Sequence, residues 1–180
     1  MSCRRWLTKK GSAQELLQAS VLAACLLIAV QGLASTSDKV SELQTRFDQE
    51  RNARSKIKIL DRLGEAQSAA ASHAQQTNDY IAIGLIFEKY RDNVRAAFEV
   101  LKKQEPNADK HAEGYRRLEL QVRRGIREVD DISMIVPEEV RPPLQLVRDD
   151  LVKMDDDLIH DLFPPRTVVP PPPAAKEQKP

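Results

Sequence analysis

The sequence predicts an all-α protein, an antiparallel helical bundle of about five helices followed by a disordered proline-rich C-terminal tail. Apolar side chains recur every three or four residues from position 40 to position 162, as they do along one face of a helix. No run alternates with a period of two, and no hairpin turn signal is present. Predicted connections of two to six residues suit antiparallel neighbours. An open array of helical hairpins is the alternative, but no 34-residue internal repeat favours it.

The first two helices are predicted on either side of a break near Asn52. Val40, Leu43 and Phe47 mark the apolar face of a short first helix that begins near residue 37. The apolar face of the second helix carries Ile57, Leu60, Leu63, Gln67, Ala71 and Ala74.

The third helix is predicted to follow a cluster of capping residues, Thr77, Asn78 and Asp79. Its apolar face carries Ile83, Phe87, Tyr90, Val94, Ala97 and Leu101. Pro106 then ends it, because proline cannot continue a helix interior.

Two more helices are predicted between this break and Pro164-Pro165. The fourth has an apolar face of Ala112, Tyr115, Leu118, Val122, Ile126 and Val129. Pro137 and Pro142-Pro143 bracket a short turn before the fifth helix. The apolar face of the fifth carries Leu144, Val147, Leu151, Met154, Leu158 and Leu162. These helices place a bundle domain at 35–165, and the proline-rich segment 166–180 is predicted to be disordered.

The N-terminal segment 1–34 has the composition of a cleaved signal peptide. Four basic residues precede ten unbroken apolar residues at 21–30, and Gly32 and Ala34 supply small side chains before a cut ahead of Ser35. A membrane-spanning helix needs about 20 apolar residues, more than this run offers. The sequence therefore predicts export to the periplasm or the extracellular space.

Two alternatives for this segment stay open. An uncleaved signal would anchor the protein in a membrane through residues 19–34. Leu22-Ala23-Ala24-Cys25 also resembles a lipobox, in which Cys25 would be lipidated, although most of the apolar run follows the cysteine instead of preceding it. Either alternative would tether the same helical domain to a membrane.

Cleavage after Ala34 would leave a domain without cysteine, because Cys3 and Cys25 both precede the cut. Its stability would then depend on its core alone, without disulfides. Residues 35–180 carry 24 basic and 26 acidic side chains, which lacks the basic excess of a nucleic-acid binder. We therefore expect no nucleic-acid partner.

The predicted fifth helix is rich in carboxylates. Asp156 and His160 are four residues apart, as are Asp157 and Asp161, so each pair shares a helix face and is a weak candidate for gripping a divalent cation. The spacing matches no calcium-binding loop, which needs a glycine turn and a terminal glutamate. A solvated charged face is the simpler interpretation, and no cofactor is predicted.

The predicted fourth helix carries an arc of arginines opposite its apolar face, with an exposed leucine in its middle. We call these residues the α4 arginine surface: Arg116, Arg117, Leu120, Arg123, Arg124 and Arg127. Guanidinium groups bind carboxylates or phosphates bidentately, so this arc is a candidate interaction surface. Neutralisation by glutamates of the same helix and by the acidic fifth helix is the competing interpretation.

No catalytic motif is present. The sequence has no glycine-rich phosphate loop, no Gly-x-Ser-x-Gly and no His-Glu-x-x-His, and the histidines His73, His111 and His160 belong to no recognised motif. The sequence therefore predicts a protein that is not an enzyme.

Three stretches resemble uncharacterised bacterial secreted helical proteins: EKYRDNVRAAF at 88–98, GYRRLELQVRRGIRE at 114–128 and VPEEVRPPL at 136–144. The resemblance spans about residues 38–163 and implies an exported all-helical domain. It supplies no active residue.

Together these observations predict an exported, non-enzymatic helical module that binds another protein or associates with itself in the cell envelope. The alternative function is a divalent-metal or small-ligand binder that uses the acidic fifth helix.

N-terminal sequencing of the protein purified from its own host distinguishes the three fates of residues 1–34. We expect Ser35 as the first residue, because the small side chains before it suit signal peptidase. An intact Met1 would instead indicate an anchor, and a chain that begins at a modified Cys25 would indicate lipidation.

Overall fold

The all-α prediction is confirmed in residues 37–164, which the computed structural model describes. This part of the chain contains no strand and forms five α-helices with one 3₁₀ segment before the last. The elements are α1 (37–49), α2 (Ala53–Gln76), α3 (Tyr80–Gln104), α4 (Ala112–Ile135), the 3₁₀ segment (Glu138–Val140) and α5 (Arg141–Leu162). The predicted signal peptide at 1–34 and the predicted tail at 166–180 lie outside the described residues.

The turn between α2 and α3 shows why the predicted capping cluster ends one helix and begins another. Asn78 has a φ of 56°, in the left-handed region. The amide of Asn78 donates to Gln75 O (3.1 Å) and the amide of Asp79 donates to Ala74 O (2.8 Å), which together make a Schellman motif. The Asp79 carboxylate then accepts from the amide of Ala82 (3.1 Å) as the N-cap of α3.

The four long helices form two antiparallel hairpins, α2 with α3 and α4 with α5, as the sequence predicts. The second hairpin packs on the first so that parallel helices become neighbours, α2 beside α4 and α3 beside α5. Ion pairs follow the parallel order: Asp150 pairs with Arg91, and Asp161 pairs with Lys102, eleven residues further along both helices. This stacking of hairpins is a feature that the periodicity does not predict.

Helix α1 packs on the first hairpin and contacts both α2 and α3. The amides of Gln44 and Asn93 exchange two hydrogen bonds of 2.9 and 3.0 Å, which tie α1 to α3. At the α1–α2 corner, Lys56 Nζ donates to the carbonyl oxygens of Phe47 (2.5 Å) and Glu50 (3.0 Å) and lies 4.1 Å from the Phe47 ring centroid. Burial lowers the pKa of Lys56.

The predicted apolar faces converge on one core. Every member of these faces is buried except four partly buried residues at helix ends or margins, Val40, Ala112, Ile126 and Leu162. Area removed from water contributes roughly 25 cal/mol per Å², so this core is the main source of stability of the described domain.

Tyr90 of α3 inserts between the parallel helices α2 and α4, where each supplies a glycine. A Cβ on Gly64 would lie 3.1 Å from Tyr90 Cε2, and a Cβ on Gly125 would overlap the opposite edge of the ring. The Tyr90 hydroxyl donates to Gln121 O (2.6 Å), and Gln121 Nε2 donates to Asp61 on α2 (2.6 Å). Burial raises the pKa of Tyr90 well above its ordinary value.

We expect Gly125→Ala to lower the free energy of unfolding by about 1–3 kcal/mol, because the added methyl overlaps a buried ring that cannot move aside. Gly84→Ala is the matched control, since a Cβ there meets nothing within 4 Å. In a helix this control should stabilise by about 0.5–1 kcal/mol. Urea unfolding followed by circular dichroism measures both, and equal effects would contradict the packing of Tyr90.

A candidate interaction surface on helix α4

The α4 arginine surface lies on the side of the helix that faces away from the core. Helix α4 buries Tyr115, Leu118, Val122 and Val129 against α3 and α5, and its outer residues are spaced three or four apart. The parallel neighbour α2 flanks one edge of this outer face, and α5 flanks the other. The structure therefore brings all six predicted residues to one helix face but gives the two edges different neighbours.

Arg123 belongs to the edge that faces α5. Its Nε lies 2.5 Å from Glu119 Oε1 on the same helix and 3.4 Å from Asp155 Oδ2 on α5. Both carboxylates are largely buried, with about 15% of their side-chain surface exposed. Because a largely buried carboxylate has a desolvation cost unless it is paired, Arg123 stabilises the packing of the α4–α5 hairpin.

Arg124 belongs to the edge that faces α2. Its guanidinium lies 3.8 Å from Asp61 and 3.9 Å from Glu65 on α2, and 3.9 Å from Glu128 on its own helix. Burial raises the pKa of Glu128, while a hydrogen bond from Ser68 and the charge of Arg124 oppose that rise. Arg124 thus offsets the cost of placing an acidic side chain between two parallel helices.

The central residues of the surface have no such partner. Arg116 and Arg127 lie at the centre, and Arg117 lies at the α2 edge beside Arg54 and Lys58. All three are exposed, and within residues 37–164 none of them has a carboxylate oxygen within 4 Å. Leu120 lies among them with 62% of its surface exposed. Neutralisation within the chain therefore accounts for Arg123 and Arg124 and leaves the centre of the surface available.

The sequence analysis missed an apolar extension of this surface. Met134 and Ile135 are both exposed at the C-terminal end of α4. Leu120, Arg127, Asp131 and Met134 follow one another at spacings of seven, four and three, so they share one outward face of the helix. These exposed apolar residues could have been predicted from the sequence, because this second stripe on the polar side of α4 also has helical spacing.

The acidic residues of α5 do not converge. Asp156, Asp157 and His160 are exposed, while Asp161 is partly buried and lies 3.2 Å from Lys102 Nζ. Across residues 37–164, no three His, Cys, Asp or Glu side chains come together in a geometry that would hold a metal ion. The pairs predicted from i, i+4 spacing thus gain no third ligand from neighbouring helices.

Comparison with known proteins adds no functional assignment. No family model, curated protein sequence or solved structure matches this chain. The resemblance to secreted helical proteins stays a prediction. Among the described helices, none combines the length and hydropathy that a membrane crossing requires.

Replacing Arg123 by glutamine should lower the free energy of unfolding by about 1 kcal/mol, because two largely buried carboxylates lose their cation. Added salt should reduce the difference. Arg127→Gln is the matched control and should melt as the wild type does, since its guanidinium is exposed and has no ion pair in the described part of the chain. Thermal melts at low and high salt measure both variants, and equal destabilisation would contradict the assigned pairing.

Proposed function

We propose that the protein is an exported, non-enzymatic helical module that binds another protein through the centre of the α4 arginine surface. The observation that carries this proposal is the exposed Leu120 between the exposed arginines Arg116 and Arg127, neither of which is ion-paired within residues 37–164. Exposed charges contribute little to the free energy of folding, so the stability of the bundle does not explain these arginines. The N-terminal sequence supports the export part of the proposal.

The composition of the surface is that of a binding site. Interface cores are enriched in arginine and in Met, and a central apolar side chain surrounded by polar groups excludes water from the contact. Leu120 occupies that central position, with Arg116 and Arg127 on either side along the helix. Met134 and Ile135 extend the apolar area towards the end of α4.

The chemistry of the surface specifies its partner. The guanidinium group of arginine binds carboxylates bidentately. The partner should therefore have an apolar pocket or ridge that contacts Leu120, with carboxylates on both sides of it. A second copy of this chain in a two-fold dimer is disfavoured, because it would bring like-charged arginines near one another across the contact. We therefore expect a different, acidic protein as the partner.

Leu120→Glu tests the proposal. The substitution adds a negative charge beside the arginines and removes the apolar centre, so it should abolish capture of the partner from an envelope extract of the host. The melting temperature should stay near that of the wild type, since solvent-facing positions carry little folding energy. Arg116→Gln combined with Arg127→Gln should weaken capture and reduce its dependence on salt.

Leu146→Glu is the matched control, because Leu146 lies on α5 with 67% of its surface exposed. This variant should capture the same partner as the wild type does. A partner that binds both variants equally would refute the proposed surface. If the wild type sediments faster as its concentration rises and the Leu120→Glu variant does not, the surface mediates self-association instead of binding a separate partner.

A further inference from the structure

A groove of about 600 Å³ lies between the described N-terminal part of α1 and the α2–α3 hairpin. The described part of α1 runs beside α2 and α3 and borders this groove. Ser37, the first described residue, lies on the border of the groove. Its volume is within the range of small-molecule sites, about 300–1,000 Å³.

Three helices supply the apolar walls of this groove. Val40 comes from α1, Ala70 from α2 and Ile86 from α3, and each is only partly buried. The surface is therefore shaped by the packing of three elements and not by one helix face. An apolar molecule seated there would complete the burial of all three side chains.

Gln67 lines the same groove, and its side-chain amide has an oxygen atom, Oε1, that is not hydrogen-bonded within residues 37–164. Only 3% of the surface of this residue is exposed. A buried polar atom without a partner costs about 1–3 kcal/mol. A ligand that donates an N–H or O–H to this amide would remove that cost.

The rim of the groove is basic. Lys89 and His73 are both exposed and line it, and the described residues place no carboxylate on its lining. Lys89 has no ion pair within 4 Å in residues 37–164. A ligand with an anionic group would therefore meet a positive charge and an imidazole ring nitrogen as it entered the groove.

We propose that this groove binds a small amphipathic anion that combines an apolar body, an N–H or O–H donor and a carboxylate or sulfonate group. The apolar body packs on Val40, Ala70 and Ile86. The donor pairs with the Gln67 amide, and the anionic group lies beside Lys89. This site is separate from the α4 arginine surface, because none of the residues that line the groove lies on α4.

The probe for this site is 1-anilinonaphthalene-8-sulfonate, which has an apolar ring system, an anilino N–H and a sulfonate. Titrated into the full chain, it should bind saturably with one molecule per chain and show enhanced fluorescence. Dodecanoate should displace it. Ala70→Phe should abolish binding by filling the groove, and Gln67→Leu should weaken it several-fold by leaving the donor unpaired.

Lys89→Glu and Lys103→Glu form a matched pair of exposed lysines on α3, of which only Lys89 lines the groove. Lys89→Glu should weaken binding of the probe about fivefold, and Lys103→Glu should leave it unchanged. This pair keeps the test valid even if Ala70→Phe perturbs the fold, because neither lysine is buried.

Two outcomes would overturn the proposal. Binding that is not saturable, or that Lys89→Glu and Lys103→Glu affect equally, would show that the probe reports general apolar surface. Absence of binding to the full chain would show that the groove is closed to small anions, as it would be if residues preceding Ser37 occupied it. Neither outcome bears on capture of a protein partner through α4.

Discussion

The insertion of Tyr90 between Gly64 and Gly125 is the contact on which the packing of the two hairpins depends. Parallel helices have no turn that fixes their register, so α2 and α4 need a side chain between them to set it. The ring of Tyr90 fits only because both helices have a glycine at the level of the ring. The bond from its hydroxyl to Gln121 O and the bond from Gln121 to Asp61 then fix the axial position of α4 against α2. These two bonds favour one axial position of α4, because a shift along the axis would break both of them, although Gln121 Oε1 itself has no hydrogen-bond partner within residues 37–164.

The register set by Tyr90 decides which arginines of α4 are used within the chain. With Gln121 beside Asp61, Arg124 is one helical turn further along and faces Asp61 and Glu65. Arg123, one residue away and rotated by about 100°, faces Asp155 on α5 instead. Arg116 and Arg127 lie between these two directions and face neither neighbour. The division of one arginine arc into paired edges and an open centre thus follows from the rotation of α4 about its own axis.

Periodicity predicted the helices and their buried faces well, because both depend on residues within a few turns of one another. Asn52 and Asp79 were predictable as boundaries for the same local reason. The pairing of Arg124 with α2 was not predictable, since helix-wheel geometry gives a direction but not the neighbour that lies there. The role of Gly125 was hidden as well. In sequence it is a weak helix former, and only the ring of Tyr90, 35 residues earlier, explains its presence.

The groove beside α1 escaped the sequence analysis for a different physical reason. Gln67 falls on the apolar face of α2 and was assigned to the core by its spacing, which is where its side chain is found. What spacing cannot show is whether a buried amide has a partner, because that depends on which side chains of other helices lie beside it. Gln67 lines the groove between the described part of α1 and the α2–α3 hairpin, and within residues 37–164 its Oε1 has no hydrogen-bond partner. The ligand proposed for this groove therefore rests on an unpaired amide beside a cavity, whereas composition and periodicity alone assign Gln67 to folding.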